Sequence, residues 1–277
     1  MKIQYLGTAA AEGIPAIFCE CEVCKKAKRL GGRHVRTRSQ ALIDDSLLID
    51  FPADTYMHYL KYDVPLYKIK SCLITHSHMD HLYPEDIFMR KPNFSHINDM
   101  ESMSFYSDKA GYEMIDELIN KYQIGENVVK NILIKPYVSF ATEGYNVMPI
   151  RATHDPNSSP VVYLVEKDGK VLFYANDTSD FNYEGWENLK RYGKKINLLS
   201  MDCSKGGTNY DYAGHMSLDQ CDEMREKLIK IGLVDKNTIV VLNHFSHNDK
   251  YADYEDFCNL ADKRGFITSY DGMIVEF

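Results

Sequence analysis

No stretch of the sequence approaches the roughly 18 consecutive apolar residues that a membrane-spanning helix needs. Basic residues are in deficit: 32 Lys and Arg stand against 40 Asp and Glu, a net charge of -8 with a pI near 5.7. Such a balance repels a phosphate backbone and argues against non-specific nucleic-acid binding. A secretory signal is lacking as well. The opening "MKIQYLGTAAAEGIP" has one lysine, and Gln4, Gly7 and Glu12 interrupt its apolar character. It reads as a first strand and loop, and the expected location is the cytoplasm. Low-complexity linkers and short internal repeats are absent, so the 277 residues read as one domain, 1–277.

What is present is core-forming material. Apolar residues make up 44% of the chain, too many for a disordered one. Strands are expected at "KIQYLG", "SQALIDD", "SLLIDF" and "SCLIT", then at Ser104–Tyr106 and Asn131–Ile134. "YNVMPIRAT", "VVYLVEK" and "KVLFYAND" read as three successive strands, the last two joined at the hairpin turn "KDGK". "INLLSMD", "NTIVVLNH" and "GMIVEF" complete the set. Helices are expected over "EVCKKAKRLGG", "ADTYMHYLKY", Pro84–Met89, Lys109–Lys121, "FNYEGWENLKRYG", "SLDQCDEMREKLIKIG" with Ser217 as N-cap, and "DYEDFCNLADKRG". Antiparallel strand runs with helices between them predict an α/β (α+β) sandwich: sheets face to face, helices outside.

The chemistry concentrates in "LITHSHMDH". His76, His78, Asp80 and His81 fall within six residues at the end of an apolar run. Alternate residues of a strand share a face, so His76 and His78 are expected to converge on one ion. Asp80 and His81 follow the turn and suit a neighbouring ion. Imidazole with carboxylate fits zinc, manganese or iron(II). Further ligands are available where other apolar runs end: His154 in "IRATH", Asp177 in "FYAND" and His244 in "VVLNH".

Of seven cysteines, three form "CECEVC": Cys19, Cys21 and Cys24. In a reducing compartment such a cluster points to a structural zinc rather than a disulfide. Zinc wants a fourth ligand, and His247 in "NHFSH" supplies one. The remaining cysteines read as packing residues, with Cys203 the one placed to approach a site.

"THSHMDH" resembles the signature motif of the metallo-β-lactamase superfamily, whose fold is an αβ/βα sandwich of two mixed sheets flanked by helices. "LLIDFP", "ATH", "ND" and "NH" fall in that superfamily's order. The resemblance implies a dinuclear centre: His76, His78 and His154 on one metal, Asp80, His81 and His244 on the other, Asp177 bridging. Asp50 then either orients a ligand or caps the following turn. The C-x-C-x-x-C loop joined to a late H-x-x-H, with "DCSKGG", "AGHMSLDQ" and "YDGMIVEF", resembles the PhnP-type phosphodiesterases associated with the carbon–phosphorus lyase pathway. That likeness implies a phosphoric diester hydrolase acting on small, including cyclic ribose, phosphodiesters. It also implies manganese or zinc at the catalytic pair and His215 assisting the chemistry beside Asp80. The chain is longer than a typical PhnP-type member, with the excess around 90–145, a segment suited to a pocket lid or a homodimer contact.

Two alternatives stand beside this reading. A transfer-RNA 3′-processing endonuclease shares the signature, but normally carries an arm between its third His and bridging Asp, where this chain has only a hairpin. A non-catalytic, metal-retaining binding protein is the reading from another class. The basic stretch "KKAKRLGGRHVRTR" reads as a solvated helix and loop or as a grip on phosphate, and His34, His58 and His96 are assigned no function.

Overall fold

The computed structural model describes all residues except 157, 209–212 and 250. Two seven-stranded sheets form its centre. The first runs in the order β14-β1-β2-β3-β4-β5-β6, from β1 (Lys2–Gly7), β2 (Gln40–Ile43), β3 (Leu47–Ile49), β4 (Ser71–Leu73), β5 (Met103–Ser107), β6 (Val129–Leu133) and β14 (Met273–Glu276). The second runs β13-β12-β11-β10-β9-β8-β7, from β7 (Phe140–Thr142), β8 (Tyr145–Arg151), β9 (Val161–Lys167), β10 (Lys170–Ala175), β11 (Leu198–Asp202), β12 (Ile239–Asn243) and β13 (Ile267–Thr268).

Both sheets are mixed, not simply antiparallel. β3 to β6 and β10 to β13 pair in parallel. Parallel neighbours require crossovers, and the helices between them supply these. Tight hairpins join β2 to β3 and β9 to β10. Asp44 and Asp45 have φ of 46° and 55°, and Asp168 and Gly169 have 51° and 74°, the left-handed pairs that match strand twist. The last strand of the first half starts at Val129, two residues earlier than Asn131; β7 and β13, three and two residues long, were too short to show a period.

Three apolar layers follow. Ile3, Tyr5, Ile49 and Leu73 of the first sheet meet Tyr163, Val165, Leu172 and Tyr174 of the second. The outer face of the second sheet packs against α4 (Tyr183–Tyr192), α5 (Leu218–Lys230) and α6 (Tyr254–Asp262), with Ala27 of α1 (Glu22–Leu30) in the same cluster. The outer face of the first packs against Val64 beyond α2 (Thr55–Tyr62) and Ile115 and Leu118 of α3 (Lys109–Tyr122). The result is the αβ/βα sandwich. Ser217 caps α5 in a full capping box with Gln220, and Asp108, Asn182 and Asp253 cap α3, α4 and α6. The segment read as a helix at Pro84–Met89 is instead a 3-10 turn, Pro84–Arg90. Its three-residue period sets buried Pro84 and Ile87 on one ridge, which an α-helix would splay.

Residues 90–145 contribute β5, α3 and β6 to the edge of the first sheet and β7 to the edge of the second. No helix among the described residues is long and apolar enough to cross a membrane.

Candidate metal centre

The loops beyond β3, β4, β8, β10, β11 and β12 meet at one end of the sandwich. Two cross-sheet bonds fix the segment ahead of His76. Tyr163 Oη donates to Ile74 O at 2.6 Å, and Val161 N donates to Thr75 O at 2.9 Å. The loops of His154 and Asp177 are pinned together by Thr153 N to Thr178 Oγ1 at 3.0 Å and Ser179 N to Thr153 O at 3.0 Å. Three residues there hold left-handed backbone without being glycine: Asp50 (φ 67°), Asp177 (φ 50°) and His244 (φ 63°). Such backbone costs about 1–3 kcal/mol per residue and persists only where the surroundings enforce it.

All seven donors expected from the sequence come together. The His76 ring lies 4.5 Å from that of His78 and 4.9 Å from that of His154, and one ligand atom of each falls within 4.8 Å of the others. Asp80, His81 and His244 form a second such group, and Asp177 lies between. Its Oδ2 is 3.0 Å from His81 Nε2 and 3.1 Å from His244 Nε2, while its Oδ1 is 3.7 Å from His154 Nε2. One expectation is corrected: β4 ends at Leu73, so His76 and His78 converge through the fold of the loop, not through strand alternation.

Each histidine spends one nitrogen on an outer partner and turns the other inward. His81 Nδ1 donates to Asp50 Oδ2 at 2.7 Å. His244 Nδ1 meets Ser204 Oγ at 2.7 Å and Asp202 Oδ2 at 3.2 Å. His154 Nδ1 donates to Gly214 O at 3.2 Å, His76 Nδ1 meets Thr75 Oγ1 at 3.1 Å, and His78 Nε2 faces Asp155 Oδ2 at 3.6 Å. Gly214 is required: with φ of 88°, a Cβ there would stand 2.7 Å from His154 Nδ1. Inside the cluster, His81 Nε2 faces His244 Nε2 at 3.3 Å and His154 Nε2 faces His78 Nδ1 at 3.1 Å. His76 Nε2 is buried with no hydrogen-bond partner among the described residues. Inward-facing ring nitrogens, outward-tied rings and an orphaned nitrogen are what bound divalent metal would satisfy.

The electrostatics agree. Burial disfavours charge on His81 and His244, yet neighbouring carboxylates outweigh it, Asp177 and Asp80 at His81 and Asp177 and Asp202 at His244, and hold both rings above the ordinary imidazole value, His244 at about 10. A cation held there would have to displace those protons, so its uptake would release protons and tighten as pH rises. Asp50 accepts from Thr75 N at 2.8 Å as well as from His81, so it both orients the His81 ring and ties the turn.

Sequence reasoning missed Asp202. This buried carboxylate takes His215 Nδ1 at 2.8 Å, Ser204 N and Met216 N at 3.0 Å each, and Asp177 N at 3.2 Å. It ends the apolar run "INLLSMD", the same signal that singles out Asp177. His215 stacks on His244 at 5.5 Å, and Asp202 raises its pKa against the opposing effect of burial. Cys203 points away into the core beside Met201 and Cys221.

The cysteine loop is a second cluster. Cys19, Cys21, Cys24 and His247 place one ligand atom each within 4.8 Å of the others, with His247 Nδ1 at 3.6 Å from Cys19 Sγ and 3.5 Å from Cys21 Sγ. Backbone N–H groups of Ala16, Cys21 and Cys24 donate to the three sulfurs at 3.3–3.5 Å, while burial pushes the Cys24 thiol up to about 12. Ala10 N to Phe245 O and Phe245 N to Thr8 O, 2.9 Å each, bind this loop to the segment carrying His244. Part of the basic stretch is taken up inside the fold. Lys26 pairs with Asp253 at 2.8 Å, Arg38 with Asp54 at 3.3 Å, and Arg36 is buried against Thr8 and Ser269.

The fold and this end of it define a metallo-β-lactamase sandwich. The family model described as Beta-lactamase superfamily domain matches residues 51–260, and the chain belongs to that family. Solved structures of the same fold include Zn(2+)-bound PqqB from Methylobacterium extorquens, 17% identical, TM-score 0.75, covering 100% of both chains. A diphosphatase from the PhnP family is 18% identical, TM-score 0.73, covering 100% of this chain and 97% of that one. Human tRNase Z, short form, is 16% identical, TM-score 0.66, over 100% and 99%. Among curated proteins, an octanoyltransferase of Porphyromonas gingivalis (strain ATCC BAA-308 / W83) is 24% identical over 265 residues, 90% of this chain. The chain spans 46% of that relative's length.

Proposed function

We propose that the protein is a metal-dependent phosphoric diester hydrolase of small substrates. The observation that carries this reading is the carboxylate of Asp177, one oxygen toward His154 and the other toward His81 and His244, within a cluster whose remaining ring nitrogens are all tied outward. His76, His78 and His154 would hold one cation, Asp80, His81 and His244 the other, and Asp177 both. Bound there, a pair of divalent cations, manganese or zinc, supplies Lewis acidity and makes hydroxide available near neutral pH. Cys19, Cys21, Cys24 and His247 would hold a structural zinc that fastens the N-terminal loop to the β12 loop.

His215 supplies the proton. Its Nδ1 is held by Asp202 at 2.8 Å, and the residue lines the cavity of about 310 Å³ together with His78, Asp80 and His244. Attack by hydroxide forms the new P–O bond, the P–O bond to the alcohol breaks, and the departing oxygen takes a proton from His215. The products are a phosphomonoester and an alcohol. The cavity volume suits a small diester better than an RNA, and its described wall has no lysine or arginine to follow a backbone.

Metal analysis joined to turnover of bis-p-nitrophenyl phosphate tests the reading; well-loaded protein that leaves phosphodiesters intact ends it and favours the binding-protein alternative. His215→Ala is expected to lower kcat roughly 100-fold or more with an alkyl leaving group and far less with nitrophenolate. Equal losses would remove His215 from the acid role.

A further inference from the structure

The wall of the candidate cleft includes Glu12, whose carboxylate none of the steps above uses. Glu12 lies in the loop after β1, and its placement is fixed from the β12 loop. Its Oε1 accepts a short hydrogen bond from Ser246 Oγ. That hydroxyl in turn accepts from Asn248 N at 3.2 Å and Asn248 Nδ2 at 3.1 Å. The Glu12 side chain is 29% exposed, wet at the cleft and not buried in the loop. Among the described residues, no lysine or arginine lines the cavity beside Glu12.

A carboxylate only accepts hydrogen bonds, and it repels anions. The metal end of the cleft suits the single negative charge of a phosphodiester; the Glu12 end suits a group that donates. We infer that Glu12 is a specificity-determining residue that accepts a hydrogen bond from a hydroxyl of the substrate's organic part. This rests on the phosphodiesterase reading and narrows it: preferred substrates are singly charged diesters of polyols, such as sugars or glycerol. Diesters without hydroxyls and ligands carrying further phosphate groups are disfavoured. The physical basis is that a site built to hydrogen-bond a hydroxyl discriminates sharply against an analogue lacking it.

The test compares two diesters of equal charge and leaving group, glyceryl p-nitrophenyl phosphate and propyl p-nitrophenyl phosphate, on metal-loaded wild type, Glu12→Gln and Glu12→Leu. Wild type is expected to favour the glyceryl ester in kcat/KM by roughly tenfold to 100-fold. Glu12→Leu abolishes that preference, mainly through KM, and Glu12→Gln weakens it. A preference unchanged within about twofold, or equal losses on both esters, overturns the inference. Calorimetric binding of glycerol 2-phosphate against propyl phosphate gives a readout independent of turnover. Wild type should bind the glycerol compound more tightly and Glu12→Leu should not; equal affinities in wild type overturn the inference too. Failure of wild type to hydrolyse either ester would instead sink the phosphodiesterase reading, with the calorimetry still deciding Glu12. Because Glu12 Oε1 also lies 3.8 Å from His247 Nε2, metal content is measured alongside. Loss of zinc from the cysteine cluster in Glu12→Gln would assign the residue to that cluster and not to substrate.

Discussion

The two donor clusters are built in opposite ways. The cysteine cluster is local: Cys19, Cys21 and Cys24 lie within six residues, and only His247 comes from elsewhere, 228 positions beyond Cys19. Its supports are backbone N–H groups of the same loop. The imidazole–carboxylate cluster is assembled from the ends of β4, β8, β10 and β12 in two sheets, and further side chains hold its rings. Its members are strained as well as distant, with left-handed backbone at Asp177 and His244. A loop that carries its own ligands is completed by one contact. A site gathered from four strand ends depends on the whole sandwich and on buried groups that touch no ligand directly.

That contrast can be broken most decisively at Asp177. Asp177→Asn removes the charge shared by both proposed cation positions, and kcat is expected to fall by at least about 10³-fold. Elemental analysis should show fewer ions at the imidazole–carboxylate cluster and an unchanged zinc content at the cysteines. Loss of zinc as well would mean that the clusters are not separable. Cys21→Ala makes the reciprocal cut. It should remove the zinc and lower the thermal midpoint measurably, because the binding free energy of a structural zinc is also folding free energy. Activity should fall much less than in Asp177→Asn, and a comparable fall would show that the cysteine loop shapes the cleft directly.

The smallest effect concerns the scaffolding. His58 on α2 is buried, its Nδ1 2.6 Å from Gln40 Oε1 and its Nε2 2.7 Å from Thr37 Oγ1, and Gln40 Nε2 donates to Asp50 O at 3.0 Å. Burial pushes its pKa down from 6.5 to about 3. The unfolded chain therefore binds the proton first as pH falls. The stability tied to neutral His58 is full above about pH 6.5 and declines toward pH 3. The total is on the order of a few kcal/mol. His58→Gln should flatten that part of the profile, read as unfolding midpoints between neutral and mildly acid pH. An acid dependence identical to wild type would show that His58 does not titrate with unfolding.

Much of this was legible in the chain. The H-x-H-x-D-H spacing and the cysteine triplet are short-range patterns that few structural roles produce, and His154, Asp177 and His244 each follow an apolar strand. Asp202 carried the same signal as Asp177, but its value lies in whom it touches: Ser204 and His215 of the β11–α5 connection and His244 beyond β12. Glu12 had no signal of its own, since a glutamate in an N-terminal loop is ordinarily solvated. In the basic run, Lys26 and Arg38 meet Asp253 and Asp54 and Arg36 is buried, partners that only the fold brings near.

The sequence by itself determined the kinds of donor and their order along the chain, because ligand chemistry and strand periodicity are properties of neighbouring residues. It also determined the helix caps and both tight hairpins, which are equally local. Tertiary structure decided which ring nitrogen turns inward, which carboxylate lies between the two donor groups, and which side chains line the cleft. Those depend on directions and distances between segments up to hundreds of positions apart, and only the packing of two sheets on one another sets them.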